Sequence, residues 1–184
     1  MAILIEETTQ ALSDTDFDRL WADSRVDIID NNTQIWPDSI FNGTEAEKKS
    51  WFKQCLVPSP DDGTNYVYPK LSHTIKSDNV IVTQIKGVVV DNIFQWQTVL
   101  VGKVNNSKLF YARNELLLAF KTFYQGKGYA GMSMHCIKDS RVYNFFKGIE
   151  NDSICEGTFS EQKVSDYTSA DSSVVEIYEL KWVY

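Results

Sequence analysis

A short glycine-rich segment, Gln125-Gly126-Lys127-Gly128-Tyr129-Ala130, has residue types that suit phosphate binding. Gly126 and Gly128 lack side chains, so a ligand can approach the backbone closely, and Lys127 adds a positive charge. When such a loop lies between a strand and a helix, several backbone N–H groups meet at the positive end of the helix dipole and bind an anion. The neighbouring elements therefore decide whether this chemistry is available.

The sequence pattern predicts a strand before this segment and a helix after it. Residues 109–123 include three consecutive leucines and are predicted to form a buried strand. Ala130, Met134 and Ile137 recur at helical spacing and predict a helix that begins at the segment. In that helix His135 would lie near the core or rim. It forms no nucleophile dyad with Cys136, because adjacent helix residues point in different directions.

Two more strands are predicted upstream, at residues 80–90 and 93–104. Both are rich in β-branched residues, and only Asp91 and Asn92 separate them, which is a hairpin signal. Together with residues 109–123 they form a predicted three-stranded antiparallel meander.

Two helices are predicted before the meander. The first lies within residues 13–30, where Phe17, Leu20 and Trp21 have helical spacing. The second follows Thr44, which stands three residues before Glu47 in a capping-box pattern.

The C-terminal part leaves alternatives open. Residues 141–149 form either a separate short helix or a continuation of the preceding one, and the identity of the fifth strand is undecided. Residues 154–159 and 174–183 are strand candidates, and residues 165–173 are predicted to be an exposed loop.

Length and composition indicate one domain, residues 1–184, of the α/β (α+β) class. Hydrophobic residues make up 43% and charged residues 23%, which is typical of a globular chain. The net charge of -7 argues against a nucleic-acid partner. The sequence has no long apolar span and no signal-peptide pattern at its start, so we expect no membrane association and a cytoplasmic location. With two histidines and no clustered ligands, we expect no metal.

Gln125, Gly128 and Ala130 fill the three defined positions of the pyrophosphate-binding motif of the GCN5-related N-acetyltransferase (GNAT) family, which this chain resembles. The predicted order of two helices, a meander, a glycine loop and a helix is similar to that family as well. The resemblance implies a mixed, mostly antiparallel sheet with two N-terminal helices and a helix after the third meander strand.

The resemblance also implies acetyl-CoA, or another acyl-CoA, as cofactor. Its pyrophosphate would lie on Gln125, Gly126, Lys127, Gly128, Tyr129 and Ala130. In this family the fourth strand splays from the fifth, and the pantetheine lies in the gap. The stretch that would correspond to that strand is residues 119–122, including Ala119, Phe120 and Lys121.

For the catalytic roles the resemblance implies Glu115 as a base and Tyr143 as a substitute acid. Phe146 stands where the family carries tyrosine. Both residues also have an ordinary structural interpretation. Glu115 would be an exposed glutamate on a strand, and Tyr143 would be an aromatic residue that packs in the core from one face of a helix.

The sequence leaves two functions open for this chain. The first is acyl-CoA-dependent N-acyl transfer to an unidentified amine, either a small molecule or a peptide. The alternative is a non-catalytic binding protein with a GNAT-like fold or a cone fold like that of nuclear transport factors. The apolar segment 174–184 also suggests a sheet edge shared between two chains, which is a homodimer hypothesis.

Overall fold

A computed structural model describes residues 3–30, 40, 42–57, 71–104, 107–108, 113–151, 156–168 and 174–184. The helices are α1 (Asp14–Arg25), α2 (Glu45–Leu56), α3 (Arg113–Gly126) and α4 (Arg141–Lys147), with a π-helical turn at Val26–Asp30 and a 3-10 helix at Gly148–Asn151. The strands are β1 (Ile3–Thr8), β2 (Leu71–Ser77), β3 (Val80–Val90), β4 (Ile93–Val101), β5 (Lys103–Val104), β6 (Ser107–Lys108), β7 (Gly131–Ile137), β8 (Thr158–Thr168) and β9 (Val174–Val183).

The two predicted N-terminal helices are confirmed, and local capping explains where they begin. The Ser13 side chain accepts a hydrogen bond from the Asp16 amide at the start of α1. Thr44 and Glu47 form the predicted capping box at the start of α2, with each side chain bonded to the other's backbone. These bonds satisfy amides that have no partner within the helix.

The predicted hairpin is confirmed as β3 and β4. Asp91 and Asn92 have φ values of 50° and 64°, a left-handed conformation that short hairpin turns need and that Asn and Asp tolerate. β4 ends at Val101, earlier than predicted.

Seven strands form one sheet in the order β1-β2-β3-β4-β7-β9-β8, and β5 pairs with β6 in a separate ribbon. β4 and β7 are parallel, and every other described pair in the large sheet is antiparallel. The strands β1 and β2 were not among the sequence-based predictions. The sheet is therefore larger than the predicted meander.

The prediction of a third meander strand at residues 109–123 is wrong, because α3 occupies most of this range. Leu116, Leu117, Phe120 and Tyr124 are fully buried, and their spacing matches one face of a helix. Leu118, the third leucine of the run, is 54% exposed on the opposite side. The apolar run is thus part of a helical stripe.

The prediction of a helix beginning at Ala130 is also wrong, because Gly131–Ile137 is the strand β7. Met132, Met134 and Cys136 alternate along it and join the main core, whereas His135 is exposed. β7 is therefore the strand next to β4 in the large sheet, which the sequence analysis left unidentified. α4 is a separate short helix, capped at its start by the Ser140 side chain.

The C-terminal strands differ from their predicted arrangement. β8 covers residues 158–168, so the predicted loop at residues 165–173 begins inside a strand, and part of the predicted strand 154–159 lies outside the described residues. The strand at residues 174–183 is confirmed as β9, but it pairs with β7 on one side and β8 on the other. Among the described strands β9 is internal to the sheet, so the predicted shared edge at 174–184 is wrong, whereas the homodimer itself stays a prediction.

Helices cover both faces of the sheet. α3 and α4 pack over one face in a cluster that includes Trp96 and Trp182, and we call this the α3 face. α1 and α2 pack against β3 and β4 on the other face, in a second cluster that includes Leu100, and we call this the α1 face. Within the part of the chain that the structure describes, no helix is long and apolar enough to cross a membrane.

Candidate functional site

The glycine-rich segment forms the C-terminal cap of α3. The Gly128 amide donates to the Gln125 carbonyl and the Tyr129 amide to the Tyr124 carbonyl, each at 2.9 Å. Gly128 has a φ of 81°, a left-handed conformation that glycine adopts without strain at the end of a helix.

This geometry contradicts the predicted pyrophosphate site. The amides of Lys127, Gly128, Tyr129 and Ala130 all donate to backbone carbonyls, so they are not available to a phosphate. The C-terminal end of a helix also carries the negative end of its dipole, which repels anions. The prediction is wrong for the whole set: Gln125, Gly126, Lys127, Gly128, Tyr129 and Ala130.

The predicted pantetheine stretch is also wrong. Ala119, Phe120 and Lys121 lie inside α3, where the helix uses the main-chain groups for its own hydrogen bonds. Phe120 is fully buried and packs edge-on against Trp96 with ring centroids 4.9 Å apart. Lys121 contacts Glu156 at 3.4 Å.

Glu115 does not lie on a strand either. It is an exposed residue in the first turn of α3, where a carboxylate favours the positive end of the helix dipole. Helix stability explains the position of Glu115. The prediction of a general base at this position assumed a strand, and the structure has a helix there.

Tyr143 is buried on α4, and its hydroxyl donates to Glu161 Oε1 at 2.5 Å. This hydrogen bond, followed by burial, raises the pKa of Tyr143 to about 12. Lys147 contacts the other oxygen of the same carboxylate, and the Lys147 and Tyr143 bonds lower the pKa of Glu161. A hydroxyl held this way is a poor proton donor for a leaving thiolate.

A gap opens in the middle of the sheet, where the parallel strands β4 and β7 separate. Their pairing begins at Ile93 with Gly131 and ends at Trp96 with Met134. β4 continues to Val101 along β3, and β7 continues to Ile137 along β9. Residues 97–101 and 135–137 therefore leave facing strand edges without partners in the ladder.

A β-bulge lies at the point where the gap begins. Lys86 is opposite Thr98 and Gly87 is opposite Trp96, so Gln97 is the extra residue of β4. A bulge bends its strand and reverses the side-chain alternation beyond it. Here it coincides with the separation of β4 from β7.

The two faces of the gap differ in polarity. On the α3 face, the fully buried Phe146 of α4 packs edge-on against Trp96, with ring centroids 5.2 Å apart. Val99 also packs against this core. On the α1 face, alternation places Thr98 and Leu100 on β4 and His135 on β7, and Leu100 is buried in the α1-face cluster. The gap thus joins an apolar side to one that carries both polar and apolar side chains.

The order of strand, connection and helix that binds phosphate in many proteins occurs here between β4 and α3, whose first turn begins at Arg113. Residues 105–106 and 109–112 of this connection lie outside the described residues. A sequence signal for this arrangement exists: Glu115 near the start of the helix and Gly126 and Gly128 at its end follow the usual asymmetry of helix termini.

No protein-family model matches the sequence, and no curated protein matches it. Solved structures do match its fold. A probable acetyltransferase of the GNAT family from Chromobacterium violaceum has a TM-score of 0.58 at 9% identity, covering 100% of this chain and 83% of that one. An acetyltransferase of the GNAT family from Streptococcus pneumoniae has a TM-score of 0.52 at 12% identity, with 100% of both chains covered.

A third match is the acetyltransferase from Bacillus subtilis in complex with CoA, with a TM-score of 0.50 at 9% identity, covering 100% of this chain and 99% of that one. At such identities the likeness concerns the fold. The nuclear-transport-factor-like cone is therefore not the fold of this chain. The predicted α/β architecture is confirmed: the chain has the fold of the GCN5-related N-acetyltransferases.

Proposed function

We propose that the protein is an acyl-CoA-dependent N-acyltransferase that binds the pantetheine arm of the cofactor between β4 and β7. The gap between these strands is the observation that carries the proposal. The fold match supports it, because the Bacillus subtilis neighbour is described as an acetyltransferase in complex with CoA.

Strand edges are suited to this ligand. Unpaired backbone N–H and C=O groups need hydrogen-bond partners when water is excluded. An extended chain with amide groups can add to such an edge like a further strand. The gap-facing backbone groups of residues 97–101 and 135–137 would hold the pantetheine amides in this way. The carbonyls of Val101 and Ile137 are excluded, because they accept hydrogen bonds from Ser24 Oγ and the Ser140 amide.

The α3 N-terminus would bind the pyrophosphate. It follows β4 in sequence, its first amides have no partner within the helix, and its dipole favours negative charge. This places the anion site at the opposite end of α3 from the glycine-rich segment.

When bound, acyl-CoA supplies a thioester whose acyl group an amine can accept. The residues around the gap would hold the thioester and the amine in line, which can account for a large part of the rate. Trp96 and Phe146 would exclude water on the α3 face. The net charge of -7 favours a cationic acceptor, either a small amine or a peptide amine.

A non-catalytic acyl-CoA-binding protein is the second candidate. Phe146 has no proton to donate, and the Tyr143 hydroxyl is bonded to Glu161. Without an acid on α4, a leaving thiolate would take its proton from solvent. The lack of a proton donor at Phe146 and Tyr143 is the observation that favours a non-catalytic acyl-CoA-binding protein.

The test is calorimetric titration of the protein with CoA and with acetyl-CoA. We expect saturable binding that is weakened about tenfold or more by Val99→Trp or Thr98→Trp, which place bulk on either face of the gap. Gly126→Glu is the matched control, because it lies in the glycine-rich segment and a Cβ added there would meet no atom within 4 Å.

Thermal unfolding of each variant identifies any that fails to fold. Unchanged affinity in both folded tryptophan variants would contradict the placement in the gap. Loss of affinity in Gly126→Glu alone would return the site to the glycine-rich segment, and no binding by the wild-type protein would overturn the proposed function.

A further inference from the structure

His135 lies at the point where the gap opens. It is the first residue of β7 beyond the last parallel pair, Trp96 with Met134. Its neighbours Met134 and Cys136 are buried on the α3 face, so alternation directs His135 to the α1 face, where its side chain is 46% exposed. A ligand entering from the α1 face would meet this imidazole.

Glu179 stands beside His135 on the neighbouring strand. The two residues are direct Cα partners of β7 and β9, and His135 Nε2 lies 3.9 Å from Glu179 Oε1. A carboxylate beside one ring nitrogen attracts an N–H at that position and so orients the ring. Because Nε2 faces the carboxylate, Nδ1 is left to accept a proton.

The other charged group near this pair is Lys181, two residues along β9 on the same face. Gln162 of β8, opposite Glu179, is uncharged, as are Gln97 and Thr98 of β4 across the gap. Glu179 and Lys181 are therefore the charged side chains that the pairing of β7 with β9 places on this face near His135.

Among the described residues 97–101 and 135–137 that line the gap, Cys136 is the one other titratable side chain. It points to the α3 face, and burial raises its pKa to about 12, so it is a thiol at neutral pH. Histidine side chains commonly change charge between pH 5 and 8 and are the most frequent general bases in enzymes.

We propose that His135 is the general base for the acceptor amine and that Glu179 is its positioning residue; this rests on the proposed function. The amine nitrogen forms a bond to the thioester carbonyl carbon, and the carbon–sulfur bond breaks with its electron pair going to sulfur. The proton lost by nitrogen goes to His135 Nδ1 and then to solvent. The thiolate takes a proton from water, so an amide and a thiol are the products.

The activity test uses acetyl-CoA with a set of primary amines: a polyamine, an arylethylamine and a lysine-containing peptide. His135→Gln is expected to lower kcat/KM about 100-fold or more at neutral pH, which is typical of losing a general base. Glu179→Gln should lower kcat less and leave KM for acetyl-CoA unchanged, because the imidazole is still present but is no longer oriented. Ser160→Ala, an exposed change on β8, is the control.

A second readout needs no turnover. Addition of CoA should shift the imidazole proton resonances of His135 in NMR spectra. Glu179→Gln should move the same resonances in the free protein, because the ring then loses the carboxylate that orients it.

The outcomes separate this inference from the proposed function. Equal CoA affinity in wild type and His135→Gln, with transfer reduced only in the variant, supports the base. CoA binding with transfer within about threefold of wild type in His135→Gln overturns the base and leaves the proposed function intact.

If no amine is accepted, slow hydrolysis of acetyl-CoA gives the same comparison, since water also needs a base. Equal rates of hydrolysis in wild type and variant, including none in both, overturn the assignment. Absence of CoA binding overturns both proposals.

Discussion

His73 is a histidine that the fold keeps uncharged. It is fully buried on β2, and neither ring nitrogen has a hydrogen-bond partner among the described residues. Its ring packs against Phe94 at 4.4 Å and Phe123 at 5.0 Å between centroids. Burial lowers the pKa of His73 from 6.5 to about 4, because a charged imidazole would lose its hydration there.

Stability should therefore depend on pH through His73. In the unfolded chain its imidazole takes up a proton near pH 6.5, whereas in the folded chain it does so near pH 4. The contribution of neutral His73 to the free energy of unfolding is complete above pH 6.5 and is lost as the pH falls towards 4. The full loss is on the order of 3 kcal/mol at 1.36 kcal/mol per pKa unit.

Urea unfolding of the wild-type protein and of His73→Leu between pH 4 and 8 measures this effect. The variant should lose less stability than the wild type over that range, since it lacks the group that titrates. Parallel curves for the two proteins would show that His73 is accessible to protonation in the folded state.

At the residue scale, the glycine-rich segment was predicted to be an anion-binding loop but is the C-terminal cap of α3. Gly126 and Gly128 with a nearby lysine fit an anion loop and a helix C-cap equally well, since both need small residues and free φ angles. Hydrogen bonds from Tyr129 to Tyr124 and from Ala130 to Asn92 decide between the two. Asn92 lies in a distant hairpin turn, and the bond to Tyr124 forms only if the helix precedes the glycines. The residue types alone could not predict either hydrogen bond.

Gly87 explains how β3 accommodates the bulge of β4. A Cβ on Gly87 would lie 2.3 Å from the Gln95 carbonyl oxygen and 2.8 Å from Phe94 Cζ. The bulge at Gln97 therefore depends on a residue without a side chain opposite it. A side chain at Gly87 would push β4 away from β3 at the point where the gap begins.

Gly87→Ala should destabilise the fold by about 1–3 kcal/mol, as overpacking of a core does, and should weaken CoA binding because the bulge must move. Gly126→Ala is the control, because its Cβ would have open space. Denaturant unfolding and calorimetry measure the two effects. A Gly87→Ala protein with wild-type stability and affinity would refute this account of the bulge.

At the element scale, prediction succeeded where local signals specify structure. The caps of α1 and α2 and the Asp91-Asn92 turn are read from neighbouring residues, and all three are confirmed. β7 was mistaken for a helix because a seven-residue strand offers few apolar positions. Met134 fits both the helical spacing from Ala130 and the alternation of a strand.

β1 and β2 were missed for a different reason. The buried face of β2 includes polar residues such as His73, so its alternation is weak in the sequence. Pairing with β3 on one side and β1 on the other determines this strand. Tertiary contacts of this kind override local propensity.

At the scale of the whole molecule, the large sheet consists of two antiparallel parts. Strands β1 to β4 form one part and β7, β9 and β8 the other, and they join through the short parallel ladder between β4 and β7. α3 connects the two parts and packs across the junction through Phe120 and Tyr124. This junction leaves the gap open beyond Trp96 and Met134.

The overall fold was predictable because the order of helices and hairpin survives errors in individual elements. The two early helices and the hairpin were predicted in the right order, and structural neighbours confirm the GNAT-like fold, although the glycine motif and the elements on either side of it were misassigned. The site was less predictable, since it depends on where two distant strands separate.

Backbone hydrogen exchange in the presence and absence of CoA tests the central claim, that the cofactor lies between β4 and β7. The amides of residues 97–101 and 135–137 that face the gap should become protected when CoA is added, and those of residues 126–130 should not change. Protection confined to residues 126–130, or no change at either place at saturating CoA, would contradict it.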